Sequence, residues 1–287
     1  MTQTLIADHP VPTGRNRRLE FRHIDAPFGI EVYGIDWDHP GEDDQRLLTQ
    51  ALRRHLLLIL KPDRAPTHDQ LDRFFERFGR LTLNTIDGQF HYTTFSKEKT
   101  AEIHRREDGN YLTNTDKGLG ELVWHHDHFH RPHVKLMSVI EGVEVEPGAV
   151  PTNFRDMYTV YEMLPRDIKS LLEYKQYVGF DPRFPGPKEN PRLCDSMHLV
   201  FTPHPHTGRR TVHLNEFSHR IVGFSEEESR DLMETLLNFA IKNAPRYDHH
   251  WKTGDICAFD NVGLQHRRDS MTPGVKRVLR AYEGVAE

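Results

Sequence analysis

Apolar positions along this chain recur at two spacings, and the spacing predicts the elements. Gly29-Ile30-Glu31-Val32-Tyr33-Gly34-Ile35 alternates apolar and other residues and reads as a strand. Residues 43–54 place Leu47, Leu48, Ala51 and Leu52 on one helical face, and His55 to Leu60 reads as a short buried strand. Thr67 with Gln70 has the form of a capping box. It opens a helix with a core stripe of Leu71, Phe74, Phe75 and Phe78, closed by Gly79. Residues 134–146 are strand-like, and a short helix over 165–174 starts at Pro165. Ser225 with Glu228 is a second capping box. It starts a helix whose inner face carries Leu232, Leu236, Leu237 and Ala240. After the Thr253-Gly254-Asp255 turn, Ile256 to Phe259 and Val275 to Tyr282 read as strands. Between these elements, 84–120 is polar and weakly periodic, a loop or lid beside a site. Residues 180–208 are a long excursion rich in Pro and Gly, and 1–18 form a polar, mobile arm. There is no internal repeat and no linker. The pattern predicts a single domain over 19–287, mixed α+β and mainly β, with a double-stranded β-helix (jelly-roll, cupin-like) core and helices outside.

Composition changes this picture little and excludes several classes. The 287 residues are 36% hydrophobic and 28% charged, as in a globular protein. A net charge of -5 gives no footprint for nucleic acid. The longest apolar run, Leu56 to Leu60, is far short of a membrane span, and the N-terminus lacks the apolar core of a signal peptide. Cys194 and Cys257 form no framework, so a reducing cytoplasm with free thiols is expected. The partner expected is a small-molecule substrate, with no nucleic acid and no membrane; a homo-oligomer is left open. Twenty histidines are too many for histidine alone to mean anything, so spacing and neighbours must decide.

The candidate chemistry sits in Trp124-His125-His126-Asp127, with Gln265-His266 far downstream. Residues two apart in a strand project to one side, so His125 and Asp127 can face one ion while His126 points away. Two histidines and a carboxylate form the ligand set of a non-haem Fe(II) site with open positions. Zinc is the competing metal, with the cluster from His125 to His133 supplying ligands for a hydrolase. No HExxH helix and no GxSxG elbow accompanies it.

The surroundings of His125 resemble a known family. Trp124-His125-His126-Asp127 is followed by Pro147-Gly148, Thr152-Asn153-Phe154-Arg155-Asp156-Met157 and Tyr161-Glu162-Met163-Leu164-Pro165. Upstream stand Gly29 to Asp36 and Phe75-Glu76-Arg77-Phe78-Gly79-Arg80-Leu81. Downstream stand Asn215-Glu216-Phe217, Trp251 to Asn261, Gln265-His266 and Arg277. In order and approximate spacing these segments resemble the taurine dioxygenase and 2,4-dichlorophenoxyacetate dioxygenase family of Fe(II)/2-oxoglutarate-dependent oxygenases, from about residue 20 to 284.

The resemblance implies that His125, Asp127 and His266 hold Fe(II). It implies that Arg277, whose guanidinium offers a bidentate fork to a carboxylate, anchors 2-oxoglutarate together with Thr152. Dioxygen would then oxidise a C–H bond of a small polar molecule, by hydroxylation in the simplest case, with release of succinate and CO2. A carboxylate at Asp127 argues against a halogenase. Asn84, Glu121 and Phe217 are the candidate substrate contacts. Two departures bear on the substrate: Glu121 stands where relatives often carry asparagine, and Ala281 where sulfonate and phenoxyacetate oxygenases carry a substrate-gripping arginine. Arg280, three residues after Arg277, should face the opposite side of a regular strand. These departures suit an amino acid or amine-bearing substrate. The readings left beside this one are a non-catalytic relative that binds a small carboxylate and the zinc hydrolase.

Overall fold

Leu57–Leu60 is apolar at every position because both of its faces are covered. Leu58 and Leu60 pack into a core shared with a helix, while Leu57 and Ile59 pack toward a second sheet. The computed structural model describes residues 19–67, 70–71, 73–74, 91–95, 120–130, 134–179 and 196–283, with 91–95 and 282–283 as backbone alone. Its strands in chain order are β1 Glu20–His23, β2 Ile30–Tyr33, β3 Leu57–Leu60, β4 His91–Phe95, β5 Leu122–His125, β6 Met137–Val145, β7 Thr152–Asp156 and β8 Gln176–Gly179. There follow β9 Ser196–Leu199, β10 Phe201–Pro203, β11 Arg210–Val212, β12 Ser218–Ile221, β13 Arg246–His249, β14 Ile256–Asp260, β15 Leu264–Arg268 and β16 Arg277–Glu283. The helices are α1 Glu42–His55, α2 Met157–Met163, α3 Arg166–Leu172 and α4 Glu226–Asn243.

The larger sheet has the order β1-β2-β3-β14-β6-β16-β4, antiparallel except between β2 and β3. Leu48 and Leu52 of α1 pack on its outer face with Ile30, Val32, Ile256 and Ala258. A smaller sheet, β13-β7-β15-β5, covers the inner face. Phe154 and Leu264 of the smaller sheet meet Leu57, Cys257, Phe259 and Leu279 of the larger one in a buried layer between them. This is the expected jelly-roll core. Each fully buried Leu or Phe stabilises the fold by about 1.5–3 kcal/mol relative to exposure, so the sheets are held together mainly by this layer. A third core, built on α2 and α4 with the β12-β8-β9 sheet and the β10-β11 hairpin, packs beside it.

Local chemistry fixes the ends of these elements. The Ser225–Glu228 capping box opens α4 as expected, and the Asp156 side chain accepts from the backbone of Tyr158 (2.8 Å) and Thr159 (3.2 Å) at the start of α2. Thr67 and Gln70 exchange the two hydrogen bonds of a capping box, and Leu71 and Phe74 are buried. The strand expected from His55 starts instead at Leu57, because α1 runs through His55 and ends on Leu56, whose φ is 64°. Residues 196–199 and 201–203, within the expected loop excursion, form β9 and β10, and 91–95 form an edge strand on β16. The arm at 1–18, the helix positions Phe75, Phe78 and Gly79, and residues 180–195 lie outside the described residues, as does Cys194. Cys257 is buried as a free thiol. Among the described residues no helix is long and apolar enough to cross a membrane.

The turn from β14 to β15 is the tightest joint near the site. Asp260 accepts from the backbone of Val262 (2.9 Å) and Gly263 (3.0 Å) through one carboxylate oxygen and from the Tyr158 hydroxyl (2.8 Å) through the other. The Tyr158 ring lies directly over Gly263, where any Cβ would overlap it. Gly263→Ala should therefore cost about 2 kcal/mol of stability, the scale of overpacking in a filled core. Urea denaturation checks this; an unchanged midpoint would mean that the turn yields without cost.

Candidate metal and cosubstrate site

The pairing of β15 with β5 sets His266 directly across from His125, with ring centroids 4.3 Å apart. Both rings project between the sheets, since Phe154, the β7 partner of His266, belongs to the inter-sheet core. His125 Nδ1 lies 2.7 Å from the carbonyl oxygen of Val123. A carbonyl can only accept, so Nδ1 carries the proton and Nε2 keeps its lone pair for the site. His125 Nε2 is 3.8 Å and His266 Nε2 is 3.6 Å from the same oxygen, Oδ1 of Asp127. One donor atom from each of the three side chains falls within 4.8 Å of the others. Among the described residues no other group of histidines and carboxylates converges in this way.

The strand argument explains His126 but not Asp127. His126 turns away as expected: it is fully buried, stacks on His213 (centroids 4.3 Å apart, planes at 10°), and burial holds its pKa well below that of a free histidine. However, β5 stops at His125, and Asp127 lies in a turn whose next residue, His128, has a φ of 60°. The side chain of Asn261 takes the place of the missing strand partner. It accepts from the Asp127 amide (2.8 Å) and donates to the carbonyls of Asp127 (3.1 Å) and Lys135 (2.8 Å). The Asp127 carboxylate is then aimed by its other oxygen. Oδ2 accepts a hydrogen bond from Ser138 and lies 3.5 Å from the buried ammonium of Lys135, so Oδ1 faces the histidines. Burial alone would raise the pKa of this carboxyl. Lys135 and then His266 outweigh that effect and hold it well below the usual carboxylate range.

A second polar group is built on β7, two residues before Phe154, and on β16 of the larger sheet. Thr152 opens β7 and is buried; its hydroxyl accepts from Arg277 Nη2 (2.8 Å) and from Trp251 Nε1 (2.8 Å). With both acceptor positions used, the hydroxyl has one proton left to donate. Arg277 also donates through Nε to the Val150 carbonyl (2.9 Å), so its guanidinium is fixed across the gap between the sheets. Burial first, and Arg268 second, push its pKa down to about 9, which leaves it cationic at pH 7.

The candidate substrate contacts divide. Phe217 is half-buried; its ring is 6.2 Å from His125, edge-on, and is stacked 5.1 Å from Phe129. Glu121 is exposed ahead of β5, where its charge acts on Glu216, and nothing brings it to the three converging side chains. Asn84 lies outside the described residues. Arg280 does turn away from Arg277: its guanidinium is 3.0 Å from Glu141 on the face that carries Val139 and Met137. Sequence reasoning gave no role to Ser138, Lys135, Trp251 or Phe129. A single polar residue inside an apolar strand carries no periodic signal, and only the fold brings these four to the site.

With this geometry in place, comparison with known proteins is informative. Residues 20–282 match the model of the taurine catabolism dioxygenase TauD, TfdA family. Pentalenolactone F synthase of Streptomyces avermitilis is 29% identical, over 89% of this chain and 90% of that protein. (S)-phenoxypropionate/alpha-ketoglutarate-dioxygenase of Sphingobium herbicidovorans is 28% identical, over 89% and 91%. The crystal structure of AAD-2 in complex with Mn(II) and N-oxalylglycine superposes with a TM-score of 0.74 at 21% identity, covering 94% of this chain and 98% of that one. A taurine dioxygenase from Burkholderia xenovorans gives 0.70 at 20% identity, covering 94% and 90%. These two likenesses carry the fold.

The hydrogen bond from Ser138 to Asp127 generates a direct test. Ser138→Ala should weaken Mn(II) binding about tenfold, the lower end of what an orienting partner contributes. Calorimetric titration of the wild type and variant measures this, and equal affinities would deny Ser138 that role.

Proposed function

We propose a substrate class and a set of site residues for a chain that belongs to the taurine catabolism dioxygenase TauD, TfdA family and is an Fe(II)/2-oxoglutarate-dependent dioxygenase. Its relatives act on varied small molecules, as the names pentalenolactone F synthase, phenoxypropionate dioxygenase and alkylsulfatase indicate. In our reading, His125, Asp127 and His266 hold the iron. The observation that carries this is their convergence within 4.8 Å, with two imidazole nitrogens and one carboxylate oxygen as donors. Arg277 and Thr152 receive the far carboxylate of 2-oxoglutarate, the guanidinium by charge and fork, the hydroxyl by its remaining proton. When bound, iron and 2-oxoglutarate would supply, with dioxygen as the oxidant, an oxidation that places one oxygen atom in a C–H bond of the substrate and the other in succinate, with loss of CO2. The chain contributes a fixed carboxylate, a fixed histidine tautomer and a gap between sheets that limits access of water.

For the substrate, we read a small polar molecule bearing an amine, with amino acids and their derivatives foremost. The position from which a related enzyme would grip an anion is Ala281, and Arg280 is held on the far face by Glu141. Phe217 supplies an apolar wall beside His125, whereas Glu121 acts on Glu216 beside Arg155 and Arg267 and carries no part of this reading. Residues 19–287 are read as a single dioxygenase domain and the setting as cytoplasmic.

Purified protein supplied with Fe(II), 2-oxoglutarate and air should release succinate faster with at least one amine-bearing compound than without it. Stimulation by anionic sulfonates alone would remove the amine reading. Anaerobic addition of 2-oxoglutarate to the Fe(II) protein should produce a visible charge-transfer band, and His266→Ala should abolish it. A normal band in that variant would take His266 out of the ligand set.

A further inference from the structure

Trp251 directs its one polar side-chain atom at Thr152. It lies between β13 and β14 and is only 7% exposed, and its Nε1 donates to the Thr152 hydroxyl at 2.8 Å. Three features hold the indole in that position. The turn that follows is clipped to β6 by two backbone bonds, Gly254 to the Gly142 carbonyl (2.7 Å) and Gly142 to the Asp255 carbonyl (2.8 Å). Gly142 leaves room for the ring, since a Cβ there would stand 3.2 Å from the indole Cε3. His249, which β13 pairs with Thr152, packs against the indole at right angles with ring centroids 4.6 Å apart.

The consequence lies in the direction of the hydrogen bonds. A hydroxyl has two acceptor positions and one proton. Arg277 Nη2 (2.8 Å) uses one acceptor position and Trp251 uses the other. Guanidinium and indole N–H groups can only donate, so neither bond can reverse. The Thr152 hydroxyl is therefore left as a donor, and among the described residues none accepts its proton. The two incoming bonds also polarise the hydroxyl and strengthen it as a donor. A ligand group that meets both Arg277 and Thr152 must accept from each. A carboxylate does so through its two oxygens. A carboxamide can accept from one of them only, and its nitrogen then faces the other as donor against donor, which forfeits a buried hydrogen bond.

We propose that Trp251 is a specificity-determining positioning residue: it locks the Thr152 hydroxyl as a donor, so that the far end of the 2-oxo acid must be a carboxylate and not a carboxamide. The assignment rests on the 2-oxoglutarate reading above. Arg277 supplies the charge of this selection, and Trp251, acting through Thr152, supplies its polarity.

The test reads binding to the full chain loaded with Mn(II). The probes are N-oxalylglycine, which has the oxo-acid end and the far carboxylate of 2-oxoglutarate, and N-oxalylglycinamide, which differs only in its far carboxamide. Calorimetry measures both on wild type, Trp251→Phe, Thr152→Val and the double variant. Trp251→Phe should bind Mn(II) within about twofold of wild type and N-oxalylglycine about fivefold more weakly, the loss expected for one neutral hydrogen bond. Its preference for the acid over the amide should fall by at least roughly fivefold, because the freed acceptor position of Thr152 can take an amide N–H. Thr152→Val should lose the preference to a similar degree, and adding Trp251→Phe to it should change the preference no further. A wild-type preference in Trp251→Phe, whether both probes weaken in parallel or neither does, overturns the proposal and marks the indole as packing. If Trp251→Phe does not fold, a wild-type preference in Thr152→Val overturns it equally. Wild-type Mn(II) protein that binds neither N-oxalylglycine nor 2-oxoglutarate would instead overturn the underlying functional reading, and this inference with it.

Discussion

The site depends on one carboxamide. Asn261 is fully buried between the β14–β15 turn and the segment from Asp127 to Lys135, and it bonds to both ends of that segment. Its side-chain oxygen takes the Asp127 amide and its nitrogen takes two carbonyls, so three backbone groups that β5 no longer pairs are satisfied at once. Without it, the chain leaving β5 would have no reason to turn where it does. The backbone of Asn261 is anchored as well, through its amide to the Leu136 carbonyl (3.0 Å). Asp127 is thus tied to the same turn that launches β15, the strand bearing His266. The distance between two of the converging side chains is set by a side-chain-to-backbone lock and not by the sheet alone.

The electrostatics follow from that placement. A carboxylate held between two sheets would ordinarily protonate, but Lys135 and then His266 keep Asp127 ionised, and Ser138 and Lys135 on its other oxygen turn it toward the imidazoles. The converging histidines face the opposite constraint. His125 spends its Nδ1 proton on a backbone carbonyl, so that only Nε2 remains for the site. His126, between His125 and Asp127 in sequence, is removed into a stack with His213 that is backed by the Tyr177 hydroxyl, 2.9 Å from His213 Nδ1. Its neutrality matters. A charged imidazole next to the site would compete with a metal ion for the field of Asp127, and burial prevents that.

Much of this was readable in the sequence, and the parts that were not share a cause. The capping boxes at Thr67 and Ser225, helix α1 and the buried β3 follow from local rules acting on neighbouring residues. The positions of His125, Asp127, Thr152, His266 and Arg277 could be named because their order and spacing resembled a family pattern. Their convergence could not be derived from spacing, since it depends on β15 pairing with both β5 and β7. β7 itself reads Thr-Asn-Phe-Arg-Asp and gives no alternation, because all five residues are buried, with Asn153 and Arg155 bonded across the sheet to Asp248 and Gln265. The expectation that Asp127 shares a strand with His125 failed for the same reason. A long-range hydrogen bond from Asn261 replaced the strand geometry, and nothing near residue 127 announces it.

The two ends of the inter-sheet gap are unlike in charge, and this asymmetry bears on how a ligand is oriented. Toward Asp127 the gap presents one anionic oxygen, two imidazoles and the paired rings of Phe129 and Phe217. Toward Thr152 it presents the Arg277 guanidinium, held by Val150 and Thr152, with Trp251 and His249 packed edge-to-face behind it. A cation is therefore favoured at the first end and a carboxylate at the second, before any ligand-specific contact is made. Arg280 would have upset that division had it pointed inward. Pairing it with Glu141 on the outer face keeps its charge out of the gap, and leaves Ala281 as the neutral inward residue of that strand. The same strand thus presents a guanidinium at Arg277 and none four residues later. On the reading proposed above, the substrate therefore needs no negative charge to be held at the Asp127 end.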